Sequence, residues 1–331
     1  PLFALFSPAL GTTSITPPMD FTRPASVDPS VLADAIQQHG ANTMFGSPAL
    51  LNTFSRWCER EQKVFPRFKR IISAGAPVPA RVLERMRAAV PDTAQLVTPY
   101  GATETLPVAS IESREVIHET AAMSQSGRGV CVGRIADGVE IWIIQITDDA
   151  IANERDMVTV SSGEIGEVCV ASPAVTIGYY GRDHATDLAK ISRSNGDVIH
   201  RMGDLGWIDD AQRLWFCGRK SQRLQLPDGD RYTVAVEGIF NAHPQVHRAA
   251  LVGIGEKGAQ RAVLFIERET EQVEPMEDDL LRHELLALAS RYEQTQCIKT
   301  ILFHDSFPVD IRHNAKIGRE RLSELAAARL R

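Results

Sequence analysis

Three short apolar runs separated by two helical stretches constrain this chain more than anything else in it. Thr43-Met44-Phe45, Arg70 to Ser73 and Gln95 to Thr98 have the length of buried strands. Between them lie a helical stretch opened by Ser47-Pro48 that runs to about Glu61, and a second from Pro79 to Val90. A β-α-β-α-β order of this kind predicts a parallel sheet covered by helices. Just upstream, Asp28-Pro29 predicts another helix start, because Asp accepts orphan N–H groups and Pro suits the first turn. Gly40 predicts its stop.

From Gly133 to Trp215 the texture changes. Val139 to Ile146, Gly166 to Ala171 and Leu214 to Cys217 are β-rich and punctuated by Gly163, Gly166, Gly178 and Gly181, which predicts a small antiparallel β-subdomain. A polar, loop-like segment from Lys220 to Arg231 comes next. Beyond it the chain predicts a helix, strands at Ala249 to Ile254 and Arg261 to Glu267, an amphipathic helix from Glu277 to Tyr292 and a strand from Ile298 to Phe303. The expected class is α/β: an α/β large-domain portion with the β-subdomain over residues 1–219, plus a small α+β domain over 220–331. That second piece, of about 110 residues, is large enough to fold as a domain.

Composition removes several function classes. The chain has 36 basic against 42 acidic residues, a net charge of −6, so it lacks the cationic excess that nucleic-acid phosphates demand. Its five cysteines (Cys58, Cys131, Cys169, Cys217 and Cys297) are far apart and form no CxxC pair, which points away from a disulfide framework and toward a reducing cytoplasm. No window nears the 18 or so consecutive apolar residues of a membrane span. The apolar start, Pro1 to Leu10, lacks the basic flank of a signal peptide and begins in mid-strand idiom. These residues are expected to be part of something longer.

Four motifs carry the chemistry. Thr98-Pro99-Tyr100-Gly101-Ala102-Thr103-Glu104 follows a predicted parallel strand, where open α/β sheets bind ligands. Its aromatic ring can stack on a base, Thr103 can bond a phosphate, and Glu104 can hold Mg²⁺ through oxygen. The plain alternative is a strand-to-loop turn with a chance acid. Ser73-Ala74-Gly75-Ala76-Pro77 also follows a strand, and its small residues let backbone approach a flat ring. Arg201-Met202-Gly203-Asp204 with Phe216-Cys217-Gly218-Arg219 on the next hairpin offers an Asp and an Arg that can grip a ribose, or merely a salt bridge. The run from Phe307 to Arg319 presents Lys316 before a terminal helix, where a solvated basic loop is the usual reading. His243 and His247 have the spacing of a zinc pair but no Glu beside them, and no Gly-x-Ser-x-Gly elbow is present.

In identity, order and spacing, the four together resemble the adenylate-forming superfamily of acyl-CoA synthetases, luciferases and nonribosomal adenylation domains. Gly163-Glu164-Ile165-Gly166-Glu167-Val168 and Gly178-Tyr179-Tyr180 match as well. The resemblance implies ATP and Mg²⁺ as cofactors. It implies that Tyr100 and Gly75-Ala76-Pro77 sandwich adenine beside Gly101 and Ala102, that Thr103 contacts phosphate and that Glu104 binds the metal. Asp204 and Arg219 would hold the ribose hydroxyls, Lys316 would neutralise charge during acyl-adenylate formation, and Ser221 would be the hinge of a mobile C-terminal domain. Residues 1–219 would then be the C-terminal part of the large AMP-binding domain. The family's phosphate loop, rich in Gly, Ser and Thr, would lie upstream of Pro1.

Departures from the common pattern narrow the resemblance. Ala4 stands where an aromatic or His gates the acyl tunnel, and Gly46, Ser47 and Thr105 are further candidates for that pocket. Gln225-Leu226-Pro227-Asp228 replaces the Lys-x-x-Gly of CoA-using members, and His200 and Met202 replace the usual pair around the ribose Asp. With Ser47 to Asn52, Trp215 to Lys220 and Pro308 to Ile317, the chain resembles the β-lactone synthetases of bacterial olefin biosynthesis. That implies a 2-alkyl-3-hydroxy fatty acid activated as its acyl-AMP and closed by its own hydroxyl, with thiolase-like and decarboxylase-like enzymes as partners. A long-chain acyl-CoA ligase and a non-catalytic nucleotide binder are the alternatives; the intact Glu104, Asp204, Arg219 and Lys316 speak against the last. His200 and His313 are the candidates for the base that takes the hydroxyl proton.

Overall fold

The computed structural model describes residues 7–270, 273, 274, 276–309 and 316–330. The chain divides into two compact units, one of residues 1–100, 111–119 and 309–316, the other of 101–110, 120–308 and 317–331.

The first unit holds the β-α-β-α-β succession. Helix α1 (Pro29–His39) starts where Asp28 accepts the Ser30 N–H at 2.9 Å and ends at Gly40, which takes φ 61°. Strand β1 (Thr43–Gly46), α2 (Pro48–Arg60), β2 (Arg70–Ser73), α3 (Ala80–Ala88) and β3 (Gln95–Ala102) follow. Ser47 caps α2 by accepting the Leu50 N–H at 3.2 Å. The strands are parallel in the order β1-β2-β3, with Gly46 opposite Ser73 and Ile72 opposite Val97. Leu51 and Phe54 of α2, Leu83 and Met86 of α3, and Ile71 and Leu96 of the strands are fully buried against one another. Each such side chain contributes about 1.5–3 kcal/mol by leaving water.

Strand β3 is longer than its sequence suggests. It runs on through Pro99 and Tyr100 to Ala102, so the first five of that motif's seven residues are strand and not loop. Pairing with β2 ends at Val97, so Pro99, with no N–H to offer, takes nothing from that ladder.

The second unit contains the antiparallel β-subdomain. Its strands are β4 (Thr105–Glu112), β5 (Val130–Ile135), β6 (Glu140–Ile144), β7 (Gly166–Ala171), β8 (Lys190–Ser192), β9 (Val198–Ile208) and β10 (Arg213–Arg219). They pair in the order β4-β5-β10-β9-β7-β6, with β8 on β9. Short helices α4 (Ala121–Gln125) and α5 (Asp183–Ala189) lie between strands. Trp207 and Trp215 sit opposite each other on β9 and β10 and stack at 5.4 Å. A Cβ on Gly206 would lie 2.4 Å from the Trp215 carbonyl, so only glycine fits at that crossing. Arg201 and Glu167 form a buried pair at 2.6 Å; Lys220 reaches the other Glu167 oxygen at 2.9 Å, and Arg201 also donates to the carbonyls of Thr147, Asp149 and Leu188. Those extra bonds are what make a charge pair tolerable in the interior.

The segment after Arg219 corrects one expectation. Lys220 to Arg231 is not a plain loop but carries a hairpin of β11 (Leu224–Leu226) and β12 (Gly229–Arg231), with Leu224 and Leu226 buried. Strands of three residues are too short for alternation to show as a period. The remaining elements are α6 (Thr233–Asn241), β13 (Val246–Ile254), β14 (Arg261–Arg268), α7 (Asp278–Ala289), β15 (Ile301–Phe303) and α8 (Arg319–Arg329). β13 and β14 are antiparallel and β15 joins β14 in parallel, around a core that includes Phe240, Leu251, Leu264 and Leu285. The strand expected from Ile298 begins at Ile301, although Ile298 is itself buried.

Candidate active site

In the first unit, the carboxyl ends of β1, β2 and β3 lie at one edge of the parallel sheet, because Gly46 pairs with Ser73 and the β2–β3 register runs in the same direction. Ser47, Gly75, Ala76 and Pro77 therefore follow the strands at the edge where such sheets take ligands, with Gly46 the last residue of β1 and Tyr100 in the part of β3 that runs past its pairing with β2. Gly75 has φ 102°, a conformation that disfavours any side chain there. Gly46 is packed on α2; a Cβ would come within 3.0 Å of Leu50 and Leu51. Ser47 spends its hydroxyl on the α2 cap. Lys316 is exposed and is grouped with this unit. Ala4 and His313 lie outside the described residues.

The second unit builds a cavity around one carboxylate, that of Glu104. Gly101 makes the turn after β3 possible, since a Cβ would meet the Thr105 carbonyl at 2.8 Å. That turn carries Thr103 and Glu104 into an open cavity of about 410 Å³, whose other walls include Thr176, Gly178, Tyr179 and Arg182. The Tyr179 hydroxyl donates to Glu104 Oε1 at 2.7 Å, and the Thr176 N–H donates to the Glu104 carbonyl at 2.9 Å. Thr105, a pocket candidate, instead shares a hydrogen bond with Ser172 at 3.0 Å and is buried. Behind the wall, the Lys190 ammonium donates to Thr176 Oγ1 at 3.2 Å. His200, opposite Lys190 in the β8–β9 ladder, has Nδ1 3.2 Å from the Ala189 carbonyl, an arrangement that places the proton on Nδ1.

These contacts set the protonation states. Burial pushes the Glu104 carboxyl up, but the Tyr179 hydroxyl, the residue's own backbone N–H and the Lys190 charge oppose it, and Glu104 lies below the ordinary carboxylate value. Burial, and then the hydrogen bond to Glu104, push the Tyr179 phenol up to about 12, which keeps it a donor. Burial and the neighbouring Lys190 bring His200 down to about 4, so its imidazole is neutral near pH 7. Burial lowers Lys190 too, with Glu104 opposing.

Asp204 and Arg219 are directly opposite on β9 and β10, and Arg219 Nη1 donates to Asp204 Oδ1 at 2.7 Å. Asp204 is buried while Arg219 is half exposed, the arrangement of an anchored acid with an accessible guanidinium. The Arg219 charge acts on both Tyr179 and His200, so this pair adjoins the Glu104 cluster. Ser221 follows in a single turn of 3-10 helix between Lys220 and Gln222.

Sequence reasoning missed Thr176, Tyr179 and Lys190 as site residues. Their only signal was the aromatic pair after Gly178 and a lysine interrupting the apolar step from Ala189 to Ile191. The two histidines with zinc spacing go to different acids, His243 to Glu284 at 3.0 Å and His247 to Glu269 at 3.4 Å.

Comparison with known proteins agrees with this geometry. The model of the AMP-binding enzyme family matches residues 3–180. The chain belongs to that family. It is 46% identical over 331 residues to an olefin beta-lactone synthetase of Xanthomonas campestris pv. campestris, covering 99% of this chain and 58% of that protein. A Stenotrophomonas maltophilia protein of the same description is 46% identical over 334 residues, covering 100% of this chain and 59% of its own length. The chain thus spans about three-fifths of the length of these curated relatives. O-succinylbenzoate coenzyme A synthetase from Bacillus subtilis, in complex with ATP and magnesium ion, superposes with a TM-score of 0.67 at 21% identity, over 89% of this chain and 54% of that one. As the AMP-binding family uses this fold, the adenylate-forming α/β architecture expected from the sequence is the one observed.

Proposed function

We propose that this chain is part of an AMP-forming ligase that activates a 2-alkyl-3-hydroxy fatty acid with ATP and closes it to a β-lactone. The 46% identity to two olefin beta-lactone synthetases over essentially the whole chain carries the reading. Carboxylate oxygen attacks the α-phosphorus and pyrophosphate leaves. The substrate's own 3-hydroxyl oxygen then attacks the acyl carbon, AMP leaves with the former carboxylate oxygen, and the hydroxyl proton is lost. Holding one conformer is the enzyme's advantage here, since oriented groups reach effective molarities of about 10⁵ M or more.

The residues take the roles their chemistry suits. Tyr100 and the Gly75-Ala76-Pro77 turn, with Gly101 and Ala102 at the end of β3, receive adenine. Asp204 and Arg219 take the ribose hydroxyls, and Thr103 bonds phosphate. Glu104 fits Mg²⁺: the Tyr179 hydroxyl holds one oxygen of a carboxylate that lines the open cavity. Bound there, the metal would supply charge neutralisation to the phosphate chain. Residues 220–331 form the mobile domain about Ser221, bringing Lys316 to the α-phosphate. Of the two candidate bases only His200 is described: its Nε2 is free of the tautomeric proton, but a group buried and held at about 4 is a weak acceptor for the hydroxyl proton.

Among the described residues no helix is long and apolar enough to cross a membrane. The cytoplasm as its place, and thiolase-like and decarboxylase-like partners, follow from the resemblance. In full-length protein supplied with ATP, Mg²⁺ and the hydroxy acid, Lys316→Ala should lower pyrophosphate release about 10²–10³-fold, the range of electrostatic catalysis, with an unchanged circular dichroism spectrum. Pyrophosphate release at the unaltered rate would remove Lys316 from the reaction.

A further inference from the structure

Lys190 is a basic residue buried without an ion-pair partner among the described residues. It is 8% exposed, and its one hydrogen bond goes to a neutral hydroxyl, that of Thr176. No carboxylate lies within ion-pair distance of it among the described residues. Its ammonium stands 5.8 Å from the centroid of the Tyr179 ring, the same ring whose hydroxyl holds Glu104. Burying an ammonium without a counter-charge is costly, so a lysine at such a place calls for an anion nearby.

The cavity on the other side of Thr176 and Tyr179 is where that anion would stand. Glu104 is the one acid among its described lining residues, and Arg182 adds a second cation. Once Glu104 is engaged with a metal, its charge no longer answers that of Lys190, and the site is left with surplus positive charge. A ligand with several negative charges restores the balance. Lys190 stands behind the wall, so it acts through its field and by holding Thr176 and Tyr179, which makes it a positioning residue and not a catalytic one.

We propose that Lys190 is a buried cation that strengthens binding of the nucleotide's phosphate chain in the Glu104 cavity, across the wall formed by Thr176 and Tyr179. This rests on reading the cavity as part of an ATP site. The test is calorimetric titration of full-length protein with ATP and, separately, with adenosine, which has the base and ribose but no phosphates. Lys190→Met should weaken ATP about 10-fold, the scale of a partly screened charge within several ångströms, while adenosine changes less than about 2-fold. Lys190→Arg, which restores the charge, should recover ATP binding to within about 3-fold. Retained adenosine binding certifies the fold of each variant; should Lys190→Met lose it, Lys190→Gln carries the same comparison. Equal weakening of ATP and adenosine in the variants, or unchanged ATP affinity, would overturn the inference alone. Wild-type protein that binds neither ligand would overturn the ATP-site reading together with it.

Discussion

At the scale of single residues, protonation is set by what each group was buried with. His200 has its imidazole 3% exposed and brought down to about 4, against 6.5 for the free side chain. The folded state therefore binds fewer protons than the unfolded one between those values. Its contribution is full above pH 6.5 and is lost as pH falls toward 4, an effect of about 3 kcal/mol at most for a shift of this size. His200→Gln should flatten the denaturation midpoint between pH 6.5 and 4 relative to wild type, measured by urea unfolding at each pH. Parallel pH profiles for the two proteins would mean that the imidazole titrates normally in the fold. Residue identities such as Glu104 and Asp204 were legible in the sequence because their motifs are local. The Tyr179–Glu104 bond was not, since its partners are 75 positions apart and neither flank of Tyr179 signals a partner.

At the scale of elements, the ends of the Lys316 segment are held by two buried acids. Glu267 accepts the Phe307 N–H at 3.0 Å before it. Beyond it, Glu237 of α6 receives Arg319 at the start of α8, at 2.7 and 2.9 Å, and also accepts the Leu251 N–H. Burial pushes Glu237 up, with Arg319 the main opposing charge. Arg319→Met leaves that carboxylate without its guanidinium and should cost about 3–5 kcal/mol, read as a lowered urea midpoint. A midpoint unchanged within error would show that Glu237 is satisfied without Arg319. The helix starts at Asp28 and Ser47 and the alternation of strand and helix up to Thr98 were readable, because caps and periods are short-range signals. The β11–β12 hairpin and the extension of β3 to Ala102 were not. Three-residue strands carry no period, and Pro99 looks like an end until the partner strand is known to stop before it.

At the scale of the whole molecule, one long sheet is parallel over β1 to β3 and antiparallel in its β4-β5-β10-β9-β7-β6 part. The parallel part in the first unit offers loops at its carboxyl edge, and the antiparallel part in the second offers a carboxylate cavity with the Asp204–Arg219 pair beside it. Four separated motifs were enough to show the family in the sequence because each is a short local run: two end the parallel strands β2 and β3, one spans the facing strands β9 and β10, and one leads into α8. The most direct measurement supplies full-length protein with ATP, Mg²⁺ and a 2-alkyl-3-hydroxy acid, with and without coenzyme A, and identifies products by mass spectrometry and NMR. A dehydrated product with β-lactone ring signals, formed equally in both reactions, is the predicted result. A thioester that appears only when coenzyme A is present, with no lactone in either reaction, would contradict it and make the protein an acyl-CoA ligase.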